Sequence, residues 1–181
     1  MHEVVDVSIC NWKFALAVLA LVITGATARA DGSGDPASVS SDGGKYEDKG
    51  GNPTYKISED GTVDWFTYSG FRRYHSDCHV CHGPNGEGSS YAPALATSLK
   101  TMSYVDFNNV VTNGRQNVNS SNDKVMPSFA TNANVMCYLD DIYVYLRARA
   151  NGAWGRVRPE KHEDKPDAAT KNENTCMGNK S

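Results

Sequence analysis

Read from the N-terminus, apolar and polar positions divide the 181-residue chain into segments of different kinds. Phe14 to Ile23 is an unbroken apolar run behind Lys13. Between Asp31 and Asn52 the chain is rich in Gly, Ser and Asp and offers almost nothing to bury, which predicts a flexible leader. Helical periodicity follows. Asp64 is placed to cap a helix from Trp65 into Cys78, in which Gly70, Tyr74 and Cys78 recur at intervals of four on one face. A second helix is predicted from Ser103 to Asn113, with Val105, Val110 and Val111 apolar, Ser103 as cap and Gly114 as stop. The third starts near Asn134, keeps Val135, Leu139, Ile142, Tyr145, Leu146 and Arg149 at helical spacing, and ends at Asn151-Gly152. Gly70 has no side chain, so the first helix can cross the third closely, with Tyr74 against Ile142 and Tyr145. Beyond Gly155 the tail is charged and Pro-containing. The pattern predicts an all-α domain of three main helices over residues 63–152, with an N-terminal extension at 31–62 and a charged tail at 153–181.

The chemistry sits where the first helix ends. Cys78-His79-Val80-Cys81-His82 places two thiols three positions apart, the spacing that reaches both vinyl groups on one porphyrin edge, and the adjacent imidazole then falls on the iron axis. The motif predicts one covalent haem c, with Cys78 and Cys81 in thioethers and His82 as an iron ligand. A zinc half-site would need a second ligand pair, and Cys137 and Cys176 are too scattered to supply one. A thioredoxin-like pair would follow a strand in a βαβ pattern.

The N-terminal run fits that reading. It is about half the roughly 20 residues a membrane span needs, and Ala28-Arg29-Ala30 has the form of a signal-peptidase site, so residues 1–30 are expected to be a cleaved signal peptide directing the chain to a bacterial periplasm. Cleavage removes Cys10, one of five cysteines, and leaves Cys137 and Cys176 able to pair as a disulfide in an oxidising compartment. The signal carries Lys13 and Arg29 against Glu3 and Asp6, so the mature chain keeps the formal charge of −3. An acidic protein of this kind is poorly suited to nucleic acid or an anionic membrane surface.

Gly70 and Tyr74, eight and four positions before Cys78, resemble the first helix of the small class I cytochromes c. That resemblance implies that the Pro93 carbonyl, eleven residues beyond His82, accepts the His82 Nδ1 proton. It also implies a sixth iron ligand in the loop Val125-Met126-Pro127-Ser128-Phe129, hence Met126, with Pro127 stiffening the loop. Met102, Met136 and Met177 are the competitors, placed respectively before the second helix, at the start of the third and in the tail. Arg115 reads equally as a contact to a haem propionate or as a solvated arginine. His75 and His79, four apart, could pair on a second metal, but exposed side chains are the simpler reading.

A longer likeness covers most of the mature chain. Asp60 to Trp65, Gly70 to Tyr74, Cys78 to Gly83 and Asp140 to Arg149 are similar to the methanol-metabolism-related four-cysteine c-type cytochromes of methylotrophic bacteria and, more distantly, to the cytochromes serving quinoprotein alcohol dehydrogenases. The extra pair Cys137 and Cys176 matches the four-cysteine pattern. The resemblance implies a monomeric periplasmic carrier of single electrons, not an enzyme, between a pyrroloquinoline-quinone methanol or alcohol dehydrogenase and a downstream cytochrome or oxidase. The alternative is a haem enzyme or ligand sensor with an open sixth position, which needs a distal acid–base residue; no His or Arg adjoins Met126-Pro127 in sequence. A third arrangement is a subunit docked permanently to its dehydrogenase, with the charged tail as tether.

Overall fold

The structure, a computed structural model, describes residues 34–119 and 122–178. The expected signal peptide lies outside the described residues. In chain order the elements are β1 (Ser40–Asp42), β2 (Lys45–Glu47), β3 (Pro53–Thr54), α1 (Trp65–Asp77), α2 (His79–His82), α3 (Leu95–Ser98), α4 (Tyr104–Asn113), β4 (Arg115–Asn119), β5 (Asn122–Met126), α5 (Ala133–Met136), α6 (Leu139–Ala150) and α7 (Asp167–Met177).

Local capping chemistry sets the helix starts. Asp64 Oδ1 accepts the Thr67 N–H at 2.9 Å and its Oδ2 accepts the Lys56 N–H at 2.8 Å, so one buried carboxylate both starts α1 and fixes the chain leading into it. Ser103 Oγ likewise accepts the Asp106 N–H at 3.1 Å and starts α4. Helices α1 and α6 cross at Gly70, where a Cβ would lie 1.8 Å from the Asp141 carbonyl oxygen, so only glycine permits this approach. Tyr74, Ile142, Tyr145 and Leu146 are buried in the core that this crossing organises, and Phe107 and Val111 bring α4 onto it.

The all-α expectation is met only in part. Helices build the core, but β1-β2-β3 form an antiparallel sheet and β4 and β5 a hairpin. The expected third helix is two helices: Tyr138, at φ −127° and ψ 21°, leaves helical geometry and separates α5 from α6.

The largest departure concerns the extension. Residues read as a flexible leader fold onto α6, because Arg147, 0% exposed, reaches out of α6 to the Asp48 carboxylate at 2.7 Å and the Pro53 carbonyl oxygen at 2.9 Å. Burial pushes Asp48 up, but hydrogen bonds from Asn52 and Arg147 and the guanidinium charge outweigh it, so the carboxyl titrates below its ordinary range. The tail is ordered too. His162 makes a parallel bridge to Val63 and stacks on Tyr68 at 3.8 Å between ring centroids. Helix α7 then returns to the end of α5, where Cys137 and Cys176 are bonded. Among the described residues, no helix is long and apolar enough to cross a membrane.

Candidate haem site

Helix α1 delivers the motif directly. The Cys78 N–H still bonds the Tyr74 carbonyl at 2.9 Å, and the single turn of α2 continues with the His82 N–H to the Cys78 carbonyl at 3.0 Å. Cys78, Cys81 and His82 are thereby set on adjacent turns of backbone anchored by α1. Cys78 is half-buried and Cys81 exposed, and neither is in a disulfide. Burial first, then the neighbouring Asp77 and Cys81, push the Cys78 thiol up to about 12. A thiol so shifted does not suit a thioredoxin-like redox pair, which needs a depressed value.

His82 is buried, and its Nδ1 lies 2.9 Å from the Pro93 carbonyl oxygen. A carbonyl can only accept, so Nδ1 carries the proton and Nε2 keeps its lone pair for a metal. Residues 83–92 curl to bring Pro93 back. The Tyr74 hydroxyl donates to the Gly83 carbonyl, the Gly88 N–H to the His82 carbonyl at 2.8 Å, and the Ala96 N–H to the Gly86 carbonyl at 2.8 Å. Gly88, at φ +84°, passes so close to Ala94 that a Cβ would sit 2.7 Å from its nitrogen. Arg149 of α6 steadies the same loop, donating from Nε to the Asn85 carbonyl at 3.1 Å and pairing with Glu87 at 3.4 Å.

Met126 closes β5. It is half-buried against the core, and Phe129, three residues further on, packs on the core as well. Met102 and Met136 touch the same core, so burial alone does not select among the three. Arg115, exposed, stands opposite Met126 in the β4–β5 register. Directly opposed residues of an antiparallel pair share a face, so an arginine remote in sequence lies beside Met126 after all. His75 and His79 stack at 5.7 Å, but His75 Nδ1 is engaged by the Phe71 carbonyl at 2.8 Å. Among the described residues, no group of three or more His, Cys, Asp or Glu side chains converges as a metal site.

The donor set fits haem c: two thiols without a disulfide, an imidazole with one nitrogen occupied by Pro93, and half-buried apolar side chains, Leu95, Met126 and Phe129 among them, packed on the core. Sequence reasoning had missed Arg149 and the glycines that shape the Pro93 loop. The spacing of Gly83, Gly86 and Gly88 was the available signal; for Arg149 there was none beyond its place in a helical pattern.

No protein-family model matches the chain. Over 125 residues it is 58% identical to cytochrome c-553I of Paracoccus denitrificans, covering 69% of this chain but only 55% of that protein. Over 91 residues it is 41% identical to cytochrome c-555 of Methylococcus capsulatus, covering 50% of this chain and 68% of that one. The crystal structure of the c-type cytochrome XoxG from Methylobacterium extorquens AM1 matches it with a TM-score of 0.73 and 56% identity, over 78% of this chain and 86% of that chain. The chain belongs to the c-type cytochromes. The cofactor of this cytochrome is therefore covalent haem c, and its helical core is the cytochrome c fold.

Proposed function

We propose that the protein is a periplasmic single-electron carrier of methanol metabolism, taking electrons from a pyrroloquinoline-quinone methanol or alcohol dehydrogenase and passing them to a downstream cytochrome or oxidase. Cys78 and Cys81 would hold haem c as thioethers, and His82 Nε2 and Met126 Sδ would be the ligands to its iron. Bound in this way, haem c supplies a one-electron ferric/ferrous couple.

The observation that carries the reading is the 2.9 Å approach of His82 Nδ1 to Pro93. It turns Nε2 into a fixed, basic donor without any bound group being needed to order the ring. The Met126 loop brings no acid–base residue of its own, since Val125, Pro127 and Ser128 flank the sulfur, and the opposed Arg115 is exposed to solvent. Two saturating ligands suit electron transfer rather than substrate binding at iron. XoxG and the two named cytochromes support the carrier class and its setting.

The test mixes oxidised cytochrome with a substrate-reduced pyrroloquinoline-quinone dehydrogenase and follows haem reduction in a stopped-flow spectrometer. Rapid reduction is expected. Reduction no faster than with the dehydrogenase omitted would overturn the partnership, and a mature protein that does not begin at Asp31 after export would overturn the predicted cleavage.

A further inference from the structure

The loop that presents Met126 is gripped by the end of α4 at backbone level. Gly114, between α4 and β4, has φ +76° and ψ −179°, a region essentially closed to residues with a side chain. A Cβ there would lie 2.6 Å from the Met126 carbonyl oxygen, 2.8 Å from the Ser128 nitrogen and 2.9 Å from the Pro127 carbonyl carbon. All three are main-chain atoms of consecutive loop residues, so no flexible side-chain tip can move aside. Two hydrogen bonds tie the same segment to the last turn of α4: Ser128 Oγ donates to the Thr112 carbonyl at 2.5 Å and the Phe129 N–H to the Val111 carbonyl at 3.1 Å. Val111 and Phe107 bury α4 in the core, so the grip is referred to the core rather than to a mobile surface.

From this we infer that Gly114 is a positioning residue for the sixth iron ligand: its missing side chain sets how closely residues 126–128 approach α4, and so where the Met126 sulfur rests. The inference rests on the reading of Met126 as that ligand. A thioether is neutral and carries no charge to draw it back to iron, so its occupancy depends on the loop that presents it.

The experiment compares wild-type holoprotein with Gly114→Ala, Ser128→Ala, Met126→Ala and Gly152→Ala. Gly152 is the control, because it also has positive φ (+70°) but nothing within 4 Å of an added Cβ. The readouts are the weak far-red band of sulfur on ferric haem, carbon monoxide binding to the ferrous protein, and reduction potential. Gly114→Ala should keep covalent haem and helical circular dichroism, lose most of the far-red band, bind carbon monoxide roughly tenfold or more tighter, and show a lower potential. Ser128→Ala should move the same way by less, and Gly152→Ala should lose stability with an unchanged band. A Gly114→Ala protein with wild-type band and wild-type refusal of carbon monoxide, while Met126→Ala opens the iron, would overturn the inference alone. Wild-type behaviour of Met126→Ala would overturn the ligand reading and the inference together. If Gly114→Ala yields no folded holoprotein, Ser128→Ala decides, since it frees the loop without adding an atom, and an unaltered band and carbon monoxide response there overturns the proposal.

Discussion

The loop that carries His82 and the loop that carries Met126 are built to different standards. His82 grows out of a helix buried in the core, is held by hydrogen bonds to its own loop, and directly follows Cys81, the second cysteine of the proposed haem attachment. Met126 ends a two-stranded hairpin whose Val118 and Val125 face solvent, and it is held by a glycine, two hydrogen bonds to α4 and half-burial on the core. The first side is fixed by elements contiguous in sequence. The second depends on α4, and is the side on which substitutions should tune the iron without detaching it.

The sharpest way to break the comparison is at the thioethers. Replacing Cys78 and Cys81 together by Ser should abolish covalent haem, read as loss of haem staining on a denaturing gel; retained staining would remove the His82 side of the contrast altogether. Met126→Ala should be smaller, because the thioethers and His82 do not depend on it. Haem stays attached, the ferrous protein gains carbon monoxide binding, and the potential falls, since thioether ligation favours ferrous iron. Intact staining with an opened iron is the result that separates the two sides.

Arg147→Met tests whether either loop depends on the far side of the molecule. It leaves the Asp48 carboxylate buried without its cation, and breaking such a pair costs about 3–5 kcal/mol. Denaturant midpoints should drop accordingly while the far-red band and the potential hold. A shifted potential would mean that the N-terminal sheet, not only α1 and α4, positions the ligands.

How much of this could be read from residues alone follows the same division. The Asp64 and Ser103 caps and the His82 motif were legible because each signal lies within a few residues of what it controls, and the Gly70 crossing because a glycine in helical register with Tyr74 and Cys78 marks the face that another helix can approach. The Asp48–Arg147 pair was not, because its partners are 99 residues apart and a Gly- and Asp-rich segment gives no apolar pattern. The β4–β5 hairpin carries no strand signal for a related reason: its strands are polar and its valines exposed, so no alternation marks a buried face. The break between α5 and α6 hides in an apolar periodicity that continues across Tyr138.

A buried acid probes the α1–α6 crossing itself. Burial first of all raises Asp141 from 3.8 to about 7, against the stabilising hydrogen bond from Ser69 and the charge of Lys45, with Asp140 and Asp64 adding to the rise. Between about pH 4 and 7 the folded protein therefore holds a proton that the unfolded chain releases, so this group's stabilisation is complete at the acid end and lost as pH climbs through that window. The contribution is on the order of a few kcal/mol. Asp141→Asn cannot titrate, and its stability measured by denaturant at several pH values should fall less steeply over that range than the wild type's. Parallel pH profiles would show that the crossing does not feel this charge.

The smallest expected effect is at the Cys137–Cys176 bond, which closes 39 residues of sequence. Chain-entropy reasoning allows about 4 kcal/mol for a loop of that length, and measured values commonly fall below such figures. Here the tail has other anchors: the Val63–His162 bridge, the His162 stack on Tyr68, and Lys165 paired with Glu173, which also faces Arg73 of α1 at 4.0 Å. Reduction should therefore loosen α7 without unfolding it, lowering stability by about 2–3 kcal/mol and leaving both iron ligands untouched. The Cys137→Ser, Cys176→Ser double variant is the cleaner probe, since its far-red band can be read without reductant acting on the haem. An unchanged band with a lowered melting temperature would confine the disulfide to the far side. A weakened band would tie the tail to the Met126 loop through α5, which follows that loop directly, and would make the less rigid side of the iron dependent on the chain terminus.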